Sequence, residues 1–126
     1  MKKLLILWLI TFSSVLFAQH NTTELINEAE TRCNNKNAEI CYLLAIKYDF
    51  GDKYVRQDKF KSVELYQIAC NGNYEDGCVN LGNMYYFGVG VRQDKSKALS
   101  LYGKACDLKS QLGCENYAKL KNRGVN

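Results

Sequence analysis

Residues 78–106 read CVNLGNMYYFGVGVRQDKSKALSLYGKAC, and residues 41–70 read CYLLAIKYDFGDKYVRQDKFKSVELYQIAC. The two align from end to end with one extra residue in the turn of the earlier copy, and VRQDK is identical in both, at 55–59 and 91–95. Self-similarity at such a period marks stacked supersecondary units, each too small to bury its apolar face without a neighbour.

Each copy reads as two helices. In the later one Leu81, Gly82 and Tyr85 fall on one helical face, and Leu44, Ala45 and Tyr48 match them in the earlier one. The small residue beside each leucine leaves room for a second helix to come close. FGVGV, 87–91, then breaks the helix with two glycines. Asp94 and its equivalent Asp58 are placed to cap the next helix, where a carboxylate accepts from free backbone N–H groups. That helix carries Ala98, Leu101, Tyr102 and Ala105 in a narrow apolar stripe, matched by Leu65, Tyr66 and Ala69, with Ser62 at the weakest position. Asn71-Gly72 is expected to end it, glycine supplying the left-handed conformation of a C-cap. The fold class is therefore all-α: an α-solenoid of antiparallel helix pairs.

The cysteines follow the same period. CNNKNAEIC (33–41), CNGNYEDGC (70–78) and CDLKSQLGC (106–114) begin 37 and 36 residues apart. Their compartment is indicated by the start of the chain. Lys2 and Lys3 precede an apolar run from Leu4 to Ala18, and the small residue Ala18 stands before Gln19. This is the three-part pattern of a secretory signal, too short for a membrane span, with cleavage expected after Ala18. Loss of residues 1–18 leaves 108 residues and, with Lys2 and Lys3 gone, lowers the formal charge from +4 to +2. Charges are interspersed with no basic stripe, so no nucleic-acid partner is expected, and no membrane contact once the leader is removed. Six cysteines in an exported chain of this size argue for disulfides. Zinc would want cysteine pairs two to four residues apart, commonly with histidine, and the one histidine is His20 at the mature N-terminus. The folded region offers neither C-x-x-C nor a histidine partner for a thiol nucleophile. No metal and no cofactor is expected.

The pattern L-G/A-x-x-Y, F-G-x-G-V, D-x-x-K-A and L-Y-x-K-A-C resembles the Sel-one-like repeat, a relative of the tetratricopeptide repeat. With a cysteine near the end of each second helix and another at the start of the next first helix, it further resembles the Helicobacter cysteine-rich protein family of secreted, disulfide-stapled repeat proteins. The first turn, FGDKYV, departs from the pattern, as does Arg32 before Cys33. The expected organisation is a leader over 1–18 and a repeat domain over 19–126. Within the domain, an opening helix over 23–33 precedes full repeats over about 38–73 and 74–109, and a half-repeat cap over 110–126 follows. Equivalent cysteines in successive units should make equivalent bonds, which selects Cys33–Cys41, Cys70–Cys78 and Cys106–Cys114 from the 15 pairings open to six cysteines.

The resemblance implies penicillin binding and a β-lactamase label, which makes a β-lactam or a peptidoglycan-like small molecule one class of ligand. S-x-x-K, S-D-N and K-T-G are absent from the chain, and no catalytic residue is assigned. Glu75 and Asp76 sit where negative charge favours a helix N-terminus, and Tyr48, Tyr66, Tyr85 and Tyr102 read as core. The favoured reading is a monomeric module binding a protein or peptide, from a host or from the envelope. Helix-pair solenoids present a concave surface lined by first helices, and Lys47, Asn80, Asn83 and Met84 are expected there, facing away from the core.

Each predicted disulfide closes a loop of about eight residues, worth ~2.5 kcal/mol by chain entropy and ~7 kcal/mol for three, comparable to the whole stability of a small domain. Non-reducing peptide mapping of the secreted protein should recover three such loops. Free thiols, or a Cys33–Cys70 link, would contradict the assignment.

Overall fold

A computed structural model describes residues 21–126, and every regular element among them is an α-helix. The expected leader with its cleavage point after Ala18, and His20, lie outside the described residues. Helix α1 covers 21–34, α2 Ala38–Phe50, α3 Lys59–Asn71, α4 Glu75–Phe87, α5 Lys95–Asp107 and α6 Gln111–Asn122. From α2 onward each helix packs on its successor, and α4 also touches α6. This is the order of the expected helix-pair solenoid, with α2, α4 and α6 as first helices.

VRQDK builds the turn inside each pair. The carboxylates of Asp58 and Asp94 accept from the backbone N–H groups of Lys61 and Lys97. Their own backbone N–H groups donate to the carbonyls of Tyr48 and Tyr85, both at 2.8 Å. The Gln57 and Gln93 amides donate to the Asp49 and Tyr86 carbonyls at 2.9 and 2.8 Å, so orphan acceptors of the ending helix are satisfied by side chains of the turn. The departure at FGDKYV leaves this geometry intact. Asp52 absorbs the extra residue: its Oδ1 accepts from the N–H groups of Tyr54 and Val55, both at 2.8 Å. The Lys47 ammonium at 2.7 Å, with those two N–H groups, holds the Asp52 carboxyl down to about 2.

Between units, three disulfides join the expected pairs, Cys33–Cys41, Cys70–Cys78 and Cys106–Cys114. One expectation is corrected here. Gly72 has φ −80°, and the left-handed residue is its neighbour Asn73 at φ 64°, with equivalents Lys36 at 67° and Lys109 at 75°. The helix ends at Asn71-Gly72 as expected, but the left-handed turn comes one residue after the glycine, and Asn73 and Tyr74 donate back to the carbonyls of Cys70 and Ala69. Glycine is needed at position 72 for space, since a Cβ there would lie 2.6 Å from the Ala38 methyl carbon. Gly77 and Gly113 do the same for the clasps. A Cβ on Gly77 would come within 2.8 Å of the Ala69 Cβ and 3.1 Å of the Cys70 nitrogen; at Gly113 the Ala105 Cβ is 2.6 Å away. The first clasp has Ile40 at this position, and its cysteine Cα atoms stand 4.8 Å apart, against 4.5 and 4.4 Å in the other two.

The core runs along this axis through Leu44, Ala45, Tyr66, Leu81, Tyr102 and Ala105. Helix α1 is tied to it by Glu30, which accepts from the Tyr48 hydroxyl at 2.9 Å and pairs with Lys61. Because helix backbone lies opposite Gly77, a methyl group there cannot be relieved by a rotamer change. Gly77→Ala should cost about 1–3 kcal/mol and lower the thermal midpoint by roughly 5 °C or more in a melt followed by circular dichroism. An unchanged midpoint would show that the close approach is dispensable.

Candidate functional site

The first helices turn a common face outward, and α4 stands at its centre. Asn80 and Asn83 lie one turn apart on α4 and line a pocket of about 270 Å³ together with Asp49, Phe50, Lys59 and Phe87. Phe50 and Phe87 occupy the same position in successive repeats, each the last residue of its helix, and are 72 % and 68 % exposed. Two such side chains left in water at the mouth of one pocket form an apolar rim for a ligand. Lys59 closes the pocket's charge internally, its ammonium 2.6 Å from Asp49 Oδ1 and 2.7 Å from the Asp49 carbonyl.

A buried tyrosine fixes Asn83 from behind. The Tyr102 hydroxyl donates to Asn83 Oδ1 at 2.6 Å, which commits that oxygen and leaves the amide nitrogen as a donor toward solvent-borne groups. Burial pushes the Tyr66 hydroxyl far up and Asp49 adds to the shift, while the Asn80 side chain opposes it. Tyr42 shows the same pattern, raised first by burial and lowered in part by Asn80.

A second pocket, about 150 Å³, adjoins the first across Asn83 and Phe87, between α4 and α6. Asn116, Lys119 and Arg123 line it from the α6 side, and Arg123 Nη1 donates to the Tyr86 hydroxyl at 3.0 Å. Among the described residues neither Lys119 nor Arg123 takes part in an ion pair.

Of the residues expected on a binding face, Asn80 and Asn83 line this pocket together. Met84 lines the same pocket but is only 5 % exposed and belongs to the core cluster, so it does not face away from the core. Lys47, one repeat earlier in the same register, is exposed and paired with Asp52. It borders a different, apolar groove of about 540 Å³ between α1 and α2. The difference is one of neighbours: α4 is packed by α3, α5 and α6, whereas the corresponding side of α2 opens onto that groove. Asn116, Lys119 and Arg123 were not anticipated; the repeat relates the first two to Asn80 and Asn83, 36 residues earlier, and offers no such signal for Arg123. Among the described residues no group of histidine, cysteine and carboxylate side chains could hold a metal, and all six cysteines are in disulfides. What the face offers chemically is hydrogen bonding, aromatic contact and positive charge.

Comparison with known proteins agrees with this architecture. The Sel1 repeat profile matches residues 38–74 and 75–110, more than half of the chain. No curated protein matches. Among solved structures, the cysteine rich protein B of Helicobacter pylori superposes with a TM-score of 0.70 at 33 % identity, over 75 % of this chain and 70 % of that one. A protective antigen of uropathogenic Escherichia coli with an SLR fold gives 0.73 at 23 % identity, over 79 % of this chain and 21 % of the antigen. A Sel1 repeat protein from Oxalobacter formigenes gives 0.70 at 19 % identity, over 78 % and 73 %. The last two likenesses concern the fold alone. No helix among the described residues is long and apolar enough to cross a membrane.

The anchoring of Asn83 has a pH signature. Burial, helped by Tyr86, pushes the Tyr102 hydroxyl up to about 12, against an ordinary value near 10. A group whose pKa is raised by folding contributes stability that is complete below its unfolded value and is lost as pH rises through its folded value. The urea midpoint should therefore fall between about pH 10 and 12, and fall less steeply in Tyr102→Phe. Identical slopes in the two proteins would show that Tyr102 ionisation does not matter.

Proposed function

The chain belongs to the Sel1 repeat family, and we propose that it works as an exported, monomeric binding module for extended peptides. Three disulfides and the likeness to a cysteine-rich protein point to an extracytoplasmic compartment, and the signal-like pattern over 1–18 supports export to the periplasm or beyond. The partner is a peptide or protein segment of the host or of the cell envelope.

The observation that carries this reading is the pairing of Asn80 and Asn83 between Phe50 and Phe87. The Asn80 carboxamide presents a donor and an acceptor in one plane, matching the carbonyl and N–H that an extended backbone exposes on its edge, and Asn83, its oxygen taken by Tyr102, adds a donor. The two aromatic rings, one repeat apart, contribute apolar contact without fixing a sequence. Asn83 is pre-positioned by the buried Tyr102, so little of its side-chain freedom is lost on binding. A β-lactam, the ligand class implied by the resemblance, would meet the same carboxamides and rings. They favour its reversible binding.

Selection of peptides from a displayed random library against the oxidised protein, followed by fluorescence anisotropy, provides the test. Asn80→Ala and Asn83→Ala should each weaken selected peptides about tenfold, the effect of one lost hydrogen bond to a held partner. Glu64→Ala, on the exposed side of α3, should leave affinity unchanged. A library that yields no binders, or binders indifferent to both asparagine substitutions, would refute the proposal.

A further inference from the structure

The groove between α1 and α2 is the α2–α4 pocket repeated one unit earlier. Thr22, Leu43, Ile46 and Lys47 line the groove, and their equivalents 37 residues on, Lys59, Asn80, Asn83 and Met84, line the pocket. The two are successive stations of one outward face, and α2 contributes to both. Their chemistry is opposite. Where the pocket has two carboxamides, the groove has Leu43 and Ile46. The groove is also the larger, about 540 Å³ against 270 Å³. The repeat accounts for the extra space. In α3 and α5 the buried rings of Tyr66 and Tyr102 fill the gap beside a first helix, Tyr66 5.9 Å from the Tyr42 ring and Tyr102 directly against Gly82. The equivalent residue of α1 is Ala29, and among the described residues no first helix precedes α1 to cover it. A space of about the size of a tyrosine ring is thus left open beside Leu25 and Leu43, which are 64 % and 50 % exposed.

We infer that this groove takes a large aliphatic or phenyl side chain of the peptide bound at Asn80 and Asn83. The inference rests on the peptide-binding reading of the same face, and continuity with that station selects the occupant. A chain lying across α4 and α2 meets the groove as its next station. The groove's two charged residues, Lys47 and Asp52, neutralise each other at 2.7 Å, so the ligand needs no charge there. The remaining walls are largely aliphatic and favour a side chain without polar atoms. Spacing follows from geometry. Packed helices lie about 10 Å apart and an extended chain rises about 3.3 Å per residue, so one step along the face spans about three residues. Side chains on one side of an extended chain recur at every second residue. The groove anchor therefore stands two or four positions from the side chain held between Phe50 and Phe87. The ligand class is accordingly an extended peptide with two apolar anchors at that separation.

The test is a displayed peptide library selected against the oxidised protein. Selected sequences should share two large apolar residues two or four positions apart. Alanine at either should weaken binding at least tenfold by anisotropy, the effect of one buried apolar side chain. Ala29→Tyr restores the residue of the inner units and closes the groove. It should bind the two-anchor peptide at least tenfold more weakly than the parent does, and should cancel the effect of one of the two alanine changes. Leu43→Asn, which installs the amide of the next unit at an exposed position, should act in the same direction and decides the matter if circular dichroism shows Ala29→Tyr unfolded. Asn80→Ala should weaken the peptide in every background. Selected peptides with a single apolar anchor, or an Ala29→Tyr protein that weakens both alanine peptides as much as the two-anchor peptide, would overturn the groove anchor and leave the Asn80–Asn83 station standing. A parent dimer in sedimentation that Ala29→Tyr abolishes would give the groove to a second copy and overturn the side-chain reading. A library without binders would remove both stations together.

Discussion

Everything on the outward face is positioned by the approach of two helices at each disulfide. At Cys70–Cys78 the Cα atoms are 4.5 Å apart, and Gly77 is there because any larger residue would meet Ala69 and the Cys70 backbone. The bond fixes the distance between the end of one unit and the start of the next, and the left-handed residue at Asn73 sets the turn that connects them. With only a few helices the apolar core is small, so covalent closure supplies stability that a longer solenoid would draw from burial. Side chains on α4 and α6 share one face because the clasps hold these helices in register.

The tyrosines carry that order from the core to the surface. Tyr66 and Tyr102 occupy equivalent places in the second helices, and each sends a hydroxyl to a polar side chain on a first helix, Asp49 in one case and Asn83 in the other. Burying a tyrosine requires a partner for its hydroxyl, and here the partner is a residue that also meets solvent. The polar groups at the pocket edges are thus part of the folded core's hydrogen bonding. A rigid scaffold presenting oriented amides loses little entropy when it binds, which suits recognition of a flexible chain.

Much of this was legible from the repeat itself. Two copies in register reveal which positions are apolar in both, which turn residues recur and which cysteines correspond, and pairing, caps and helix order follow. What was not legible depends on neighbours that the local pattern does not encode. Met84 and Lys47 hold the same position, yet one is covered by adjacent helices and the other borders an open groove. Gly72 looked like a left-handed cap because glycine serves that role so often, but it answers to the Ala38 side chain, and lysine and asparagine take the left-handed positions. Lys119 and Arg123 carry no motif of their own. Only the juxtaposition of α6 with α4 turns them into a site.

The placement of each disulfide across a junction, with none inside a unit, has a consequence for how such chains change length. A cut after Asn73 and another after Lys109 would remove one complete unit, and with it one cysteine from each of two bonds. The orphans left behind, Cys70 and Cys114, would then be separated by the same eight positions as every native pair. Duplication of a unit at those points preserves the pairing in the same way. A chain built on this plan can gain or lose repeats without leaving an unmatched thiol, and so can lengthen or shorten its outward face while its covalent scheme stays whole.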